Sequence, residues 1–280
     1  MKHYEHNEEK LIFITKPRTP WLIILLIIIL FSFGCAETRL AIYGDTRSNP
    51  EIHRQIVQEI LRHKPDLVFH TGDLNSRGSQ QSEYDVFHQI IRPLTEGAGF
   101  YPARGNHEKS LDLFLANFPQ LPGRSYYAVE RFGIRFIVLD SVIKLYPDSD
   151  QFRWLRAELT KLRPTILIVH HPVFSSGEHG DELGLQMFLP RSLEAKNVLA
   201  VFSAHDHNYE RSFYNGIYYI VTGGGGAPLR EGSHPNPNSQ VLHKTNHYLI
   251  ARLKGGNLHF TAYALDGEIL DNFTLELNQP

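Results

Sequence analysis

The sequence predicts an α/β protein with two mixed sheets between layers of helix, a four-layer α/β/β/α sandwich. Three observations predict it. Short apolar runs alternate with helix-period segments through the first half of the chain, while the part beyond His207 reads almost wholly as antiparallel-looking strands. Polar residues also stand just past several predicted strand ends, where α/β sheets bind their ligands.

Arg39 to Tyr43 (RLAIY) is a short apolar strand running into Gly44-Asp45. Pro50 to Arg62 places Ile52, Ile56, Val57, Ile60 and Leu61 at helical spacing, with a proline suited to the first turn. Asp66 to His70 is a second strand, followed by Thr71-Gly72-Asp73, and Ser82 to Leu94 is helical. Phe100-Tyr101 leads into Gly105-Asn106-His107. Two strands, Tyr126 to Val129 and Ile134 to Asp140, flank a turn at Gly133. Asp150 to Leu162 reads as a helix with Phe152, Leu155, Leu159 and Leu162 on one face. Strands then cover Thr165 to Val169, Val198 to Phe202, Phe213 to Thr222, Tyr248 to Leu253, Leu258 to Tyr263 and Ile269 to Leu277. Gly223 to Asn238, rich in Gly, Pro and Ser, is a loop.

The 28 Lys+Arg and 30 Asp+Glu give a formal charge of -2. The first 35 residues hold four of the basic side chains and three of the acidic ones, leaving a body with 24 against 27. That balance excludes a basic nucleic-acid platform. At 42% hydrophobic and 21% charged, the body has the composition of a folded domain, and no linker divides residues 36–280.

The leader, residues 1–35, reads differently. Trp21 to Phe33 is an uncharged run of 13 residues behind Lys10, Lys16 and Arg18. As a helix it would reach roughly 20 Å, short of a bilayer core of roughly 30 Å. A basic flank, a short apolar segment and the small residues Gly34-Cys35-Ala36 read as an export signal. The arrangement resembles a bacterial lipoprotein signal with Cys35 lipidated, although Ser32 stands where that signal usually has Leu. Ordinary cleavage and an uncleaved anchor are the other readings. The expected location is the cell envelope, on the periplasmic or extracellular face. With one cysteine, no disulfide can form within the chain.

Asp45, Asp73, Asn106, His170 and His205 each lie just past a predicted strand end, and His207 follows closely. Carboxylate, amide and imidazole donors without thiolate suit Mn²⁺, Fe or Zn²⁺. Six such groups exceed the needs of one ion with open positions. They fit two divalent metal ions sharing a carboxylate, which would supply hydroxide at neutral pH and clamp an in-line displacement at phosphorus.

Gly44-Asp45-Thr46-Arg47, Gly72-Asp73, Gly105-Asn106-His107-Glu108, His170-His171-Pro172 and Ala204-His205-Asp206-His207 together resemble the ordered signature of the calcineurin-like metallophosphoesterases. His170-His171-Pro172 and the run His205 to Arg211 are most similar to the purple acid phosphatase branch. The resemblance covers Ile42 to about Gly226. It implies that Asp45 and His207 hold a first metal, that Asp73 bridges, and that Asn106, His170 and His205 hold a second. It also implies that His107 protonates the leaving oxygen or holds the phosphate, with His171 a neighbour of the site.

Three positions depart from the family pattern. Arg47 stands where many relatives have a histidine, Ser76 where purple acid phosphatases have a tyrosine, and Ala204 where a glycine is usual. The first metal thereby loses a side-chain ligand. Arg47 has two readings, a fork onto phosphate oxygens or a salt bridge to Asp45 or another carboxylate. Asp206 is expected to face solvent or orient an imidazole, His179 to be a surface residue or reach substrate, and Tyr209, Glu210 and Arg211 to brace the turn between His205 and His207. Gly223 to Gly226 reads as a tight turn, with a phosphate cradle as the alternative.

The resulting expectation is a hydrolase cleaving phosphate esters by attack of a metal-bound hydroxide, foremost a phosphomonoesterase. The alternatives are a phosphodiesterase or nucleotide pyrophosphatase at the same metals, or an envelope-anchored binding protein with a degenerate first site.

Overall fold

The computed structural model describes residues 37–277 and Met1. The apolar run Trp21 to Phe33 and the signal ending at Cys35 lie outside the described residues. Among the described residues, no helix is long and apolar enough to cross a membrane.

The first sheet has six strands. β1 (Arg39–Tyr43), β2 (Leu67–His70) and β3 (Gly99–Pro102) run parallel, and β11 (His247–Lys254), β12 (Asn257–Ala264) and β13 (Ile269–Glu276) extend it antiparallel, in the order β13-β12-β11-β1-β2-β3. The second sheet has seven. Its strands are β4 (Tyr127–Arg131), β5 (Ile134–Val138), β6 (Thr165–Ile168), β7 (Val198–Ser203), β8 (Tyr209–Tyr214), β9 (Ile217–Thr222) and β10 (Ser239–His243). Their order is β10-β8-β9-β7-β6-β5-β4, with β5, β6, β7 and β9 parallel.

The two-residue period of the strands separates the layers. Phe136, Val138, Ile166, Ile168, Ala200 and Phe202 join the core shared with the first sheet, and the alternate residues Ile137, Leu167 and Val201 join a second core. Rings meet across the gap, with centroids 4.6 Å apart for Phe69 and Phe136 and 5.2 Å for Phe202 and Phe260. Outside the first sheet lie α1 (Pro50–Arg62) and α2 (Gln81–Thr95). The second core is closed by α4 (Asp150–Leu159) and α5 (Leu183–Leu193), while the short α3 (Leu111–Asn117) follows β3. The four layers match the predicted fold class.

Local chemistry explains the helix starts. Asn49 accepts from the Ile52 amide at 3.2 Å ahead of Pro50, and Ser149 accepts from the Phe152 amide at 3.2 Å. Two expectations are corrected. The helix read as far as Leu162 ends at Leu159; Leu162 is exposed with φ 45°, because Pro164 disfavours helical backbone at Arg163. The single strand read over Phe213 to Thr222 is instead a hairpin of β8 and β9. Asn215 and Gly216, at φ 48° and 80°, form the two-residue turn that matches strand twist.

Candidate metal centre

The carboxyl ends of β1, β2 and β3 in one sheet and β6 and β7 in the other reach one rim. Asp45, Asp73, Asn106, His170 and His205 follow these five ends within four residues, and His207 lies in the β7–β8 connection. Asp45, Asp73 and His205 all take left-handed backbone, with φ of 54°, 56° and 70°. Such geometry in non-glycine residues costs about 1 kcal/mol or more each and concentrates at functional sites. Backbone bonds hold it: the Asp45 amide donates to Gly72 O at 3.0 Å and Thr46 to Asp73 O at 3.0 Å. Gly72 is required where it stands, since φ is 104° and a Cβ would lie 2.7 Å from His170 Nδ1.

The six predicted donors are brought together around Asp73. His170 Nε2 lies 3.4 Å from Asp73 Oδ1 and 2.9 Å from Asn106 Oδ1, and His205 Nδ1 lies 3.0 Å from the same amide oxygen. On the other flank, His207 Nε2 is 3.8 Å from Asp45 Oδ1, and Asp45 Oδ2 accepts from the His205 amide at 2.8 Å. Arg47 enters between them. Its Nε is 3.3 Å from Asp73 Oδ2, an ion pair without an aligned hydrogen bond, and its Nη2 is 3.3 Å from His207 Nε2. The carboxylate that Arg47 meets is therefore Asp73 rather than Asp45.

Hydrogen bonds fix which imidazole nitrogens are free. His170 Nδ1 donates to Thr71 O at 3.0 Å and His207 Nδ1 to Pro228 O at 2.6 Å, so each presents an Nε2 lone pair to the centre. Burial drives these rings toward the neutral form. It lowers His207 to about 4, with Arg47 and Arg230 adding to the effect, and lowers His205 to about 2, with His170 and His171 adding. His170 is also held well below the ordinary value by burial and then by His171. Burial, followed by the Asp73 charge, raises both Asp45 and Glu108 well above the carboxylate range.

The fit to metal follows from these contacts. A lone pair on His170 Nε2 directed at two oxygens, and a buried Asp45 Oδ1 with no hydrogen-bond partner, form a cluster that a cation would satisfy. Asp45, Asp73 and His170 offer ligand atoms within 4.8 Å of one another, as do His170, His171 and His205. The pair of ions implied by the family fits unequally. The His170 flank holds Asn106, His170 and His205 with no guanidinium among them, whereas the His207 flank has Arg47 inside it.

Glu108, the last residue of Gly105-Asn106-His107-Glu108, organises the rim. Its carboxylate accepts from the amides of Asp73, Leu74, Asn75 and Gly105 at 3.0, 3.0, 3.3 and 2.9 Å. The run of small and polar residues in Gly72-Asp73 and Gly105-Asn106 is the signal that could have revealed it, because such turns expose amides that need a buried acceptor. His107 stands beside it, its amide 3.0 Å from Asp73 Oδ1, its Nδ1 2.5 Å from Ser76 O and its Nε2 3.8 Å from Asp73 Oδ2.

Several neighbouring residues do other work than expected. Asp206 is buried and orients no imidazole; it accepts from Ser175 Oγ at 2.6 Å and from the amides of His179 and Gly180. Glu210 holds Ser176, and Tyr209 and Arg211 both bind Asp271, so none of the three braces the turn between His205 and His207. The Gly223 and Gly225 amides donate to Asn208 O and Gly44 O, so these two are committed to the turn rather than offered to phosphate. His179 is exposed and stacks on His205 with centroids 4.2 Å apart; His171 lies 4.5 Å from the same ring.

Comparison with known proteins agrees with this architecture. The family description "Calcineurin-like phosphoesterase" matches residues 38–209. Purple acid phosphatase 18 of Arabidopsis thaliana is 30% identical over 164 residues, covering 50% of this chain and 37% of that protein. A probable glycerophosphodiester phosphodiesterase GpdQ of Arcobacter nitrofigilis is 29% identical over 191 residues, covering 61% of this chain and 69% of the relative. The structure of purple acid phosphatase PPD1 from yellow lupin shares the fold, with a TM-score of 0.73 at 20% identity over 86% of this chain and 54% of that one. The chain thus spans well under half the length of the Arabidopsis relative. With a match running from the first strand through both sets of rim residues, and purple acid phosphatases among its relatives, the chain belongs to the calcineurin-like phosphoesterase family.

Proposed function

We propose that the chain is a metal-dependent hydrolase of phosphate esters, acting foremost on monoesters, with Mn, Fe or Zn as the metal. The observation that carries this reading is the convergence of Asp45, Asp73, Asn106, His170, His205 and His207 on one rim from two sheets. When bound, divalent ions at such a centre supply Lewis acidity toward water and the phosphoryl oxygens. The chain's own residues do the rest. Asp73 lies between the two flanks and serves both. His107 commits Nδ1 to Ser76 O, so that in its charged form Nε2 carries the proton and faces the centre, the disposition of a general acid for the departing alcohol. The fork of Arg47 supplies positive charge toward phosphate oxygens from the opposite side.

A diesterase reading is supported by the GpdQ relative, of which this chain covers more than two thirds. Rates on p-nitrophenyl phosphate and bis(p-nitrophenyl) phosphate separate the two. Chelation should abolish hydrolysis and added Mn²⁺ or Zn²⁺ restore it, and Asn106→Ala should abolish it while the fold persists. Unchanged hydrolysis in that variant would overturn the proposal. Residues 1–35 are read as a leader that exports the body and anchors it at the envelope through Cys35. Mass spectrometry of the mature N-terminus tests that reading, and an unmodified, uncut terminus would refute it.

A further inference from the structure

The inference here rests on the metal-dependent reading above and concerns how many ions the centre takes. On the His170 flank the accounting of donors does not close. His170 has committed its only proton to Thr71 O, yet Nε2 meets Asn106 Oδ1 at 2.9 Å and Asp73 Oδ1 at 3.4 Å, acceptor against acceptor. Among the described residues no Lys or Arg meets Asn106, His170 or His205, and Arg47 reaches only the far oxygen of Asp73. On the His207 flank a cation of the chain's own is already present. The proton of His207 is committed to Pro228 O, and its Nε2 accepts from Arg47 Nη2 at 3.3 Å. The same guanidinium sits 3.3 Å from Asp73 Oδ2, with only 14% of the Arg47 side chain exposed.

We propose that the guanidinium of Arg47 takes the place of the first cation, so that this centre binds one divalent ion, held by Asp73, Asn106, His170 and His205. An ion reaching both Asp73 Oδ2 and His207 Nε2 at about 2.1 Å would sit against the edge of the guanidinium that already contacts those two atoms. Charge points the same way. Three carboxylates, Asp45, Asp73 and Glu108, are buried at the rim, and the Arg47 guanidinium already meets the outer oxygen of one of them. The departures at Arg47 and Ser76 thereby become one feature: a flank that has lost ligands has gained a fixed charge.

Counting ions tests this. The full chain is stripped, reloaded with Mn²⁺, freed of excess and analysed for metal, with electron paramagnetic resonance as a second readout. Wild type and Arg47→Lys, which keeps the charge, should hold one Mn²⁺ per chain with the signal of an isolated ion. Arg47→Ala and Arg47→His should hold two, a twofold rise in bound metal, with the broadened signal of a coupled pair. Two ions in the wild type, or a single ion in both charge-removing variants, would overturn the inference and leave the proposed hydrolysis standing. One ion in a wild type that cleaves no phosphate ester would instead overturn the proposed function and leave the ion count intact.

Discussion

The two flanks of Asp73 are built from the same residue types and behave as opposites. On one, Asn106, His170 and His205 turn toward a common space, and no Lys or Arg among the described residues meets them. On the other, His207 and the outer oxygen of Asp73 already face Arg47. A carboxylate or imidazole at a strand end therefore does not by itself make a metal site. What decides is whether the fold also delivers a competing cation to the same atoms. Arg47 can do so because the loop after β1 turns through left-handed backbone at Asp45 and Ser48, with φ of 54° and 75°, bringing the side chain back over the rim.

The largest effect expected to sharpen this contrast is acid instability. Behind the rim, His53 and His247 are buried and outside the six donors; burial lowers them to about 3 and about 4. The unfolded chain, with ordinary imidazoles, takes up these protons first. Stability should be full above about pH 6.5 and fall as pH drops toward the folded values, by about 1.4 kcal/mol per pH unit for each such ring. Thermal melts from pH 7 to 4 check this. Chelation should move the midpoint to higher pH, because an ion protects the rings on the His170 flank. If ion removal leaves the acid transition where it was, that flank holds no ion and the contrast fails.

Next in size is Glu108→Ala. It strips the acceptor from four amides, two loops' worth, and leaves them buried. Unsatisfied amides cost about 1–3 kcal/mol each, so a loss of about 4 kcal/mol, or roughly 10 °C in melting temperature, is expected after partial relaxation. Because those loops carry Asp73 and Asn106, ion binding should weaken along with stability. A variant that melts like the wild type would show that the Asn106 flank is not held by this carboxylate.

Asp206→Ala should act more gently. Its carboxylate ties down the amides of His179 and Gly180 and the Ser175 hydroxyl, a loop beside the ligands rather than the ligands themselves. The expected result is about 2 kcal/mol of lost stability with the metal content unchanged. Metal analysis and a urea melt on one preparation check both parts, and loss of the ion would mean that the loop belongs to the centre.

The parts of this molecule legible in the sequence were those with a local cause. Strand ends followed by Gly-Asp, the proline at the start of α1 and the period of Phe152, Leu155 and Leu159 each declare themselves within a few residues. The convergence of the six donors was legible as well, because parallel strands must place their carboxyl ends on one rim. Long-range partners were not. Nothing near Asp206 in sequence reveals that it serves a loop 26 to 31 residues earlier, and near Glu108 the turn Gly105-Asn106 signals exposed amides without saying that the acceptor also serves those some 34 residues before it. Arg47 was visible as a departure, but the atoms it meets lie on β2's loop and beyond β7, brought to it only by the assembled sandwich.

The smallest expected effect concerns the mouth of the His170 flank. His179 is exposed and its ring lies flat on His205 at 4.2 Å, so it forms the outer wall above an imidazole nitrogen that points at Asn106. Stacking of this kind is worth about 1 kcal/mol, too little to decide whether an ion binds but enough to set the angle of His205. His179→Ala should therefore leave ion content and melting temperature nearly unchanged and raise KM for a phosphate ester by about threefold to tenfold, with kcat changed less. A fall in kcat at constant KM would place His179 in the reaction itself rather than at the entrance. It would then make the Asn106 flank a working surface that extends beyond the ion's own ligands, in contrast to the His207 flank, where Arg47 already closes the space.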